Sequence, residues 1–255
     1  MRWPHFLRRL AISIQLLDIR VHKQKGRQYF NPEWDIKFEE MDLFPESTQV
    51  NQVRDDRKSY LSSDSSKEKM TIYTIGHSNR RWETFVKLLK DNRIEMVIDV
   101  RAFPSSRKFR HFNKRNLKVF LYKEGIDYIW MGKELGGYRK KTEGLGNKSP
   151  NKGWDASGFR IYADYMLSER FEKAINKLED LAKEKNLALM CSERLYWKCH
   201  RQLISDFLVK QGQEVWHIVD ENELRKHELT RLARIEKGVL IYPEADDELR
   251  LPFPE

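Results

Sequence analysis

The feature that most constrains this chain is an alternation that begins at residue 70. Short apolar runs (Thr71 to Ile75, Met96 to Val100, Tyr128 to Met131, Leu187 to Met190 and Val215 to Val219) are separated by segments whose apolar residues recur at helical spacing. Those segments are Arg81 to Asn92, Lys114 to Lys123, Arg160 to Lys185, Trp197 to Gln211 and Glu221 to Ile235. Helices that alternate with buried strands must cover the sheet they connect. The pattern therefore predicts a Rossmann-like α/β fold, with a parallel sheet of about five strands and helices on both faces. The stretch from Gly132 to Phe159 has no period and is punctuated by Gly136, Gly137, Gly144, Gly146, Pro150, Gly153 and Gly158. A loop of that length inside a compact domain is expected to serve as a lid or binding arm.

Upstream of residue 70 the pattern is lost. Tyr60 to Lys69 is polar and Ser-rich, as linkers are, and before it only fragments such as Phe6 to Leu17 are periodic. The expected organisation is a poorly structured or appended irregular extension over 1–69, the Rossmann-like domain over 70–235 and a C-terminal tail over 236–255. Met70 stands directly before the first strand, which also fits a native start there, with the preceding residues an over-extended reading frame. No run of 18 apolar residues occurs, so no spanning helix and no membrane partner are expected. The weakly apolar run Leu10 to Leu17 is followed by no small-residue cleavage site and reads as amphipathic rather than as an export signal. Cys191 and Cys199 are the only cysteines, too few for a disulfide framework, and a reducing, cytoplasmic location is expected.

The net charge of +9 is unevenly placed. Pro104 to Lys148 carries twelve Lys or Arg against four Asp or Glu, whereas the first 69 residues carry thirteen against eleven. Clustered positive charge predicts an anionic partner. Within the cluster, Phe103 to Arg115 interleaves Phe103, Phe109 and Phe112 with Arg107, Lys108, Arg110, Lys114 and Arg115, the mixture that base stacking and phosphate neutralisation need. A solvated basic loop with its aromatics turned inward is the plainer alternative. A second group, Arg139, Lys140 and Lys141, sits on the Gly-rich arm.

Open parallel sheets bind ligands outside the carboxyl ends of their strands. Every unusual polar group falls there: Gly76-His77-Ser78-Asn79-Arg80 after the first strand, Asp99-Val100-Arg101 at the second, and Cys191-Ser192-Glu193-Arg194 after the fourth, with Cys199-His200-Arg201 opening the next helix. Asp99 in an apolar strand is either a structural partner of Arg101 or a carboxylate tuned for acid or base work. Ser78 either caps a helix or helps to hold an anion. Cys191 reads as an inert strand-end residue, as a nucleophile, or as a reversible partner of Cys199. Cys191, Cys199, His200 and His77 would suffice for zinc, but their spacing matches no common site, so neither metal nor cofactor is expected.

The chain resembles the bacterial and archaeal family catalogued as domain of unknown function number 488. The matching blocks are Thr74 to Arg80, Ile98 to Pro104, His111 to Asn113, Glu134 to Arg139, Phe159 to Met166, and Met190 to Glu193 with Cys199 to Arg201. The resemblance implies a compact Rossmann-like domain and one shared site over about Met70 to Val219, and supplies no reaction.

These readings converge on an enzyme acting on nucleic acid, DNA or RNA, on an altered or flipped base. His77, Asp99, Arg101, Cys191, Glu193 and His200 are the candidate catalytic residues. Ser78, Arg80, Arg107, Arg110, Phe112, Asn113, Arg139, Arg160, Tyr162, Arg194 and Arg201 are the candidates for holding nucleic acid or another anion. The alternatives are a Cys191-dependent sulfur-transfer enzyme and a non-catalytic nucleotide or nucleic-acid binding module. The sequence leaves the oligomeric state open.

Overall fold

The computed structural model describes residues 69–106 and 108–244. The expected extension over 1–69 (but for Lys69), Arg107, and the tail beyond residue 244 lie outside them. Six strands form one sheet in the order β3-β2-β4-β1-β5-β6, where β1 is Thr71–Gly76, β2 Met96–Asp99, β3 Asp127–Trp130, β4 Leu187–Cys191, β5 Glu214–Asp220 and β6 Glu223–Lys226. The first five are parallel and β6 pairs antiparallel with β5. All residues of β2 and β4 are buried, which explains why they read as continuous apolar runs instead of alternating ones.

Helices cover both faces. Against one face, Phe85, Leu88 and Leu89 of α1 (Trp82–Asp91) and Leu117 and Leu121 of α2 (Lys114–Lys123) pack on Ile75, Val97, Ala188 and Met190. Against the other, a short α3 (Gly132–Leu135), α4 (Ser157–Tyr165), α5 (Glu169–Glu184) and α6 (Arg201–Lys210) pack on Ile72, Ile98, Leu187 and Leu189. Among the described residues no helix is long and apolar enough to cross a membrane.

The expected helix Arg160 to Lys185 is two helices. Ser168 breaks it, with Oγ accepting from the Phe171 amide at the start of α5, the role that a short hydroxyl side chain performs at a helix N-terminus. The stretch Glu221 to Ile235 is not a helix. Its charged, helix-spaced pattern is overridden by a tight turn after Asp220, by β6 pairing Leu224 with Ile218, and by the bond from the His227 amide to the Val215 carbonyl. This hairpin delivers His227 to the interior. Downstream, β7 (Arg234–Glu236) and β8 (Val239–Ile241) form a second hairpin, and Tyr242 beyond it is buried. The aperiodic arm before α4 is tied down by Asp164, whose carboxylate accepts from the Leu145 amide, the Ser149 hydroxyl and the Asn151 amide group.

Asp206 on α6 fastens the C-terminal part to the sheet. Fully buried, it accepts from His227 Nε2 at 2.9 Å, the Thr230 amide at 2.8 Å, the Thr230 hydroxyl and the Tyr242 hydroxyl at 2.9 Å. Removing a buried acceptor leaves several donors unsatisfied, so Asp206→Ala is expected to lower unfolding free energy by about 3–5 kcal/mol. Chemical denaturation followed by tryptophan fluorescence measures it; a change within experimental error contradicts the role.

Candidate active site

The strand order places a switch point between β1 and β4, because the chain leaves β1 toward β2 and leaves β4 in the opposite direction, toward β5. A crevice opens at such a point. The two strands stay paired beyond their ends, with the His77 amide on the Cys191 carbonyl and the Ser78 amide on the Ser192 carbonyl, both at 2.9 Å. Gly76 permits this approach: a Cβ there would lie 2.0 Å from the Glu193 carbonyl oxygen. Just beyond, Ser78 adopts the left-handed conformation with φ 45°. The resulting crevice of about 420 Å³ is lined by His77, Ser78 and Asn79 after β1, Arg101 and Phe103 after β2, and Ser192 and Glu193 after β4, with Ser105, Ser106, Lys108 and Phe109 at its rim.

Arg101 is the centre of this wall. Its Nε and one terminal nitrogen donate to the two Asp99 oxygens at 2.8 and 2.6 Å, its own amide donates to Asp99 at 3.1 Å, and the Tyr128 hydroxyl completes the carboxylate's shell at 2.7 Å. With four donors bound, Asp99 is a holder of Arg101 and has little left to offer a substrate. The second terminal nitrogen of Arg101 lies 3.0 Å from His77 Nε2. Guanidinium can only donate, so Nε2 accepts, and Nδ1 donates to the Ser78 carbonyl at 2.9 Å. Burial and then the Arg101 charge push the His77 pKa down to about 3, so the ring is neutral; it stacks on Phe112 with centroids 4.1 Å apart.

Strand alternation puts the thiol group of residues on the other face at the same edge. Cys191 belongs with Cys199 to the core beneath α4 to α6, and the ligating atoms of Cys191, Cys199 and His200 lie within 4.8 Å of one another. The neighbouring Cys199 and then burial raise the Cys191 thiol, whereas the Cys191 partner, and beyond it the Arg201 cation, lower Cys199. His200 Nε2 donates to the Val100 carbonyl at 3.1 Å, and Gly137 gives the ring room, since a Cβ there would meet its Nδ1 at 2.5 Å. Ser192 joins the two faces: it lines the crevice, and its hydroxyl lies 3.9 Å from Cys191 Sγ.

The structure thus gathers His77, Ser78, Arg101 and Glu193 in one crevice, sets Asp99 behind them, and holds Cys191 and His200 behind the opposite wall. Other expected anion-binding residues are engaged elsewhere. Arg80 donates to the Gly76 and Val219 carbonyls, Arg139 turns inward over the Tyr165 ring, Arg160 binds the Trp154 carbonyl, the Tyr162 hydroxyl binds the Leu135 carbonyl, and Arg194 pairs with Asp220. Asn113 accepts from the Ser106 amide, Phe112 is buried under His77, and Arg110 is exposed. Asn79 and, from the expected basic and aromatic stretch, Ser105, Ser106, Lys108 and Phe103 complete the rim, with the exposed Phe103 ring 5.5 Å from exposed Tyr138.

Sequence reasoning also missed what holds Arg201. This side chain is 1% exposed and donates to the Thr74 hydroxyl at 3.2 Å and to the Glu193 and Arg194 carbonyls. The Thr74 hydroxyl donates onward to His217 Nδ1 at 2.7 Å, His217 Nε2 to His227 Nδ1 at 2.9 Å, and His227 Nε2 to Asp206 at 2.9 Å. The chain runs in one donor direction, from guanidinium to carboxylate. Burial, then His227 and Arg201, lower the His217 pKa to about 2, and Tyr196 stacks on its ring at 3.5 Å.

His77 and His217 resist protonation in the folded protein, while an unfolded chain takes up these protons near pH 6.5. Both rings are neutral in both states above that value, so their effect on stability is flat there and turns unfavourable as pH falls from about 6.5 toward about 3. The thermal midpoint is expected to drop between about pH 7 and about pH 4.5, and His217→Asn to flatten the drop. A midpoint that is level or climbs on acidification contradicts this.

Neither a curated protein nor a solved structure matches the chain. Residues 81–208, half of its length, match the family described as Domain of unknown function DUF488, a span that runs from the start of α1 through Arg101, Cys191 and His200 into α6. The chain belongs to the DUF488 family.

Proposed function

We propose that this protein is an enzyme acting on nucleic acid, with a nucleotide seated in the crevice between β1 and β4. The observation that carries the reading is a pair of exposed rings, Phe103 in the crevice lining at 69% exposure and Tyr138, 5.5 Å from it, at 63%, beside the basic loop that bears Lys108 and Arg110. Large exposed rings cost hydration unless something covers them, and a base offers a flat partner that makes no demand on sequence. The guanidinium of Arg101, although paired with Asp99, borders the crevice and keeps one further N–H on each terminal nitrogen for a phosphate or a developing oxyanion. Glu193 supplies a carboxylate that is open to solvent, with the Leu195 amide at 3.3 Å. In this scheme Arg101 stabilises negative charge, Glu193 serves as acid or base, and His77 and Asp99 keep the guanidinium in place. The sulfur-transfer reading fits less well, because Cys191 is buried in the core on the face of the sheet turned away from the crevice.

Fluorescence anisotropy with labelled single-stranded DNA and RNA over a salt series tests the reading. Affinity is expected to fall with salt, with a log-log slope of about −0.7 per phosphate contacted, and the double variant Phe103→Ala, Tyr138→Ala to weaken binding about tenfold or more. Binding that is absent, or indifferent to salt, overturns it. Glu193→Gln that binds as tightly, and that leaves the composition of incubated oligonucleotides as unchanged as the unmodified protein does, would favour the binding-module alternative.

A further inference from the structure

We infer that Cys191, Cys199 and His200 form a zinc site of Cys2His type behind the crevice. Their donor atoms already stand at the spacing a single ion requires, all within 4.8 Å of one another, and among the described residues this is the group of three or more such side chains that meets that spacing. His200 Nδ1 lies 3.4 Å from Cys199 Sγ. Zinc held at about 2.3 Å from sulfur and about 2.0–2.1 Å from nitrogen separates those two atoms by about 3.5 Å at tetrahedral angles. The nitrogen is also correctly prepared. His200 Nε2 is committed as a donor to the Val100 carbonyl, which leaves the Nδ1 lone pair facing sulfur, the backbone-fixed imidazole that metal centres use.

Position in the fold supports the same conclusion. Cys191 ends β4 and Cys199 stands two residues before α6, so two rigid elements set their approach. Both are buried, and the sulfur contact that faces His200 Nδ1 is a weak hydrogen bond, which coordination of an ion would replace with a stronger bond. Arg201 beside the pair offsets thiolate charge, and it is fixed by the chain through Thr74, His217 and His227 to Asp206. His77, the fourth ligand that the sequence offers, is taken by Arg101. The site therefore has three protein ligands, the number that leaves a coordination position for water or a substrate oxygen.

The inference is independent of nucleic-acid binding. Zinc is measured by inductively coupled plasma mass spectrometry on untagged full-length protein expressed in zinc-supplemented medium, and about one ion per chain is expected. Chelated, reduced protein titrated with cobalt(II) should develop a thiolate-to-cobalt charge-transfer band together with the strong visible bands of tetrahedral cobalt. Because the sequence contains only these two thiols, that band reports on this site without any variant. Cys199→Ser and His200→Asn should each abolish stoichiometric zinc, with circular dichroism to confirm folding. Reduced protein that carries no zinc and shows no charge-transfer band overturns the inference, as does a Cys191–Cys199 disulfide that persists in metal-replete preparations. A metal-free protein that still binds oligonucleotides sinks this site alone; a zinc protein that ignores them sinks only the reading above.

Discussion

Everything at the carboxyl edge depends on how closely the segments that leave β1 and β4 run past one another. Their backbone pairing continues past the sheet through His77 and Ser78, and only a residue without a Cβ can occupy position 76 against the Glu193 carbonyl. Were the segments a side chain's width further apart, Arg201 would no longer reach the Glu193 and Arg194 carbonyls, and Ser192 would leave the crevice wall. One backbone contact thus sets both the width of the crevice and the position of the groups behind it.

Among the described residues Arg80, Arg101 and Arg201 are buried guanidinium groups at this edge, and the molecule treats the last two differently. Arg101 is neutralised directly by Asp99, an arrangement that costs desolvation on both partners and makes sense where geometry matters more than stability. Its other terminal nitrogen gives one N–H to a neutral imidazole. Arg201 donates only to uncharged oxygens among the described residues, and its counter-charge, Asp206, is three hydrogen-bonded side chains away. A cation stabilised at such a distance leaves most of its local field for whatever lies beside it, and what lies beside it is Cys199. The depressed thiol and the aligned chain of imidazoles are two ends of the same electrostatic arrangement.

The sheet and the location of the site were legible because they follow from periodicity. Strand runs of the right length, separated by amphipathic helices, admit few topologies, and the carboxyl-end rule then picks out Gly76 to Arg80, Asp99 to Arg101, and Cys191 to Glu193 without coordinates. What sequence could not show was which face each side chain takes, since alternation is counted from a register that only the sheet defines. Asp99 and Arg101 share one face, Cys191 the other, and a list of polar residues at strand ends blurs that difference. The charged segment after β5 misled for a related reason: Glu221 to Ile235 satisfies helical spacing, but pairing with β5 and burial of His227 outweigh propensity. The basic residues split likewise. Arg80, Arg139 and Arg201 look like surface cations in sequence and instead satisfy carbonyls in the interior, whereas of the aromatics in the basic stretch Phe112 is buried and Phe103 is exposed. His217 did leave a trace, as a polar residue at a buried position of an apolar strand, and that anomaly signals a hydrogen-bonded partner whenever it occurs.

The division of the edge into two faces has a chemical consequence. Groups on the crevice side are fixed charges and exposed rings, suited to holding an anion and a planar base; groups on the other side are soft sulfur and nitrogen donors in an apolar setting. Ser192 is the residue whose backbone pairs with β1, whose side chain approaches Cys191, and whose surface borders the crevice. That turn, where Gly76 forbids slack, and the His200 bond to the Val100 carbonyl between Asp99 and Arg101 link the two sets. The polar residues at these strand ends therefore belong to one mechanical unit even though they face opposite sides of the sheet.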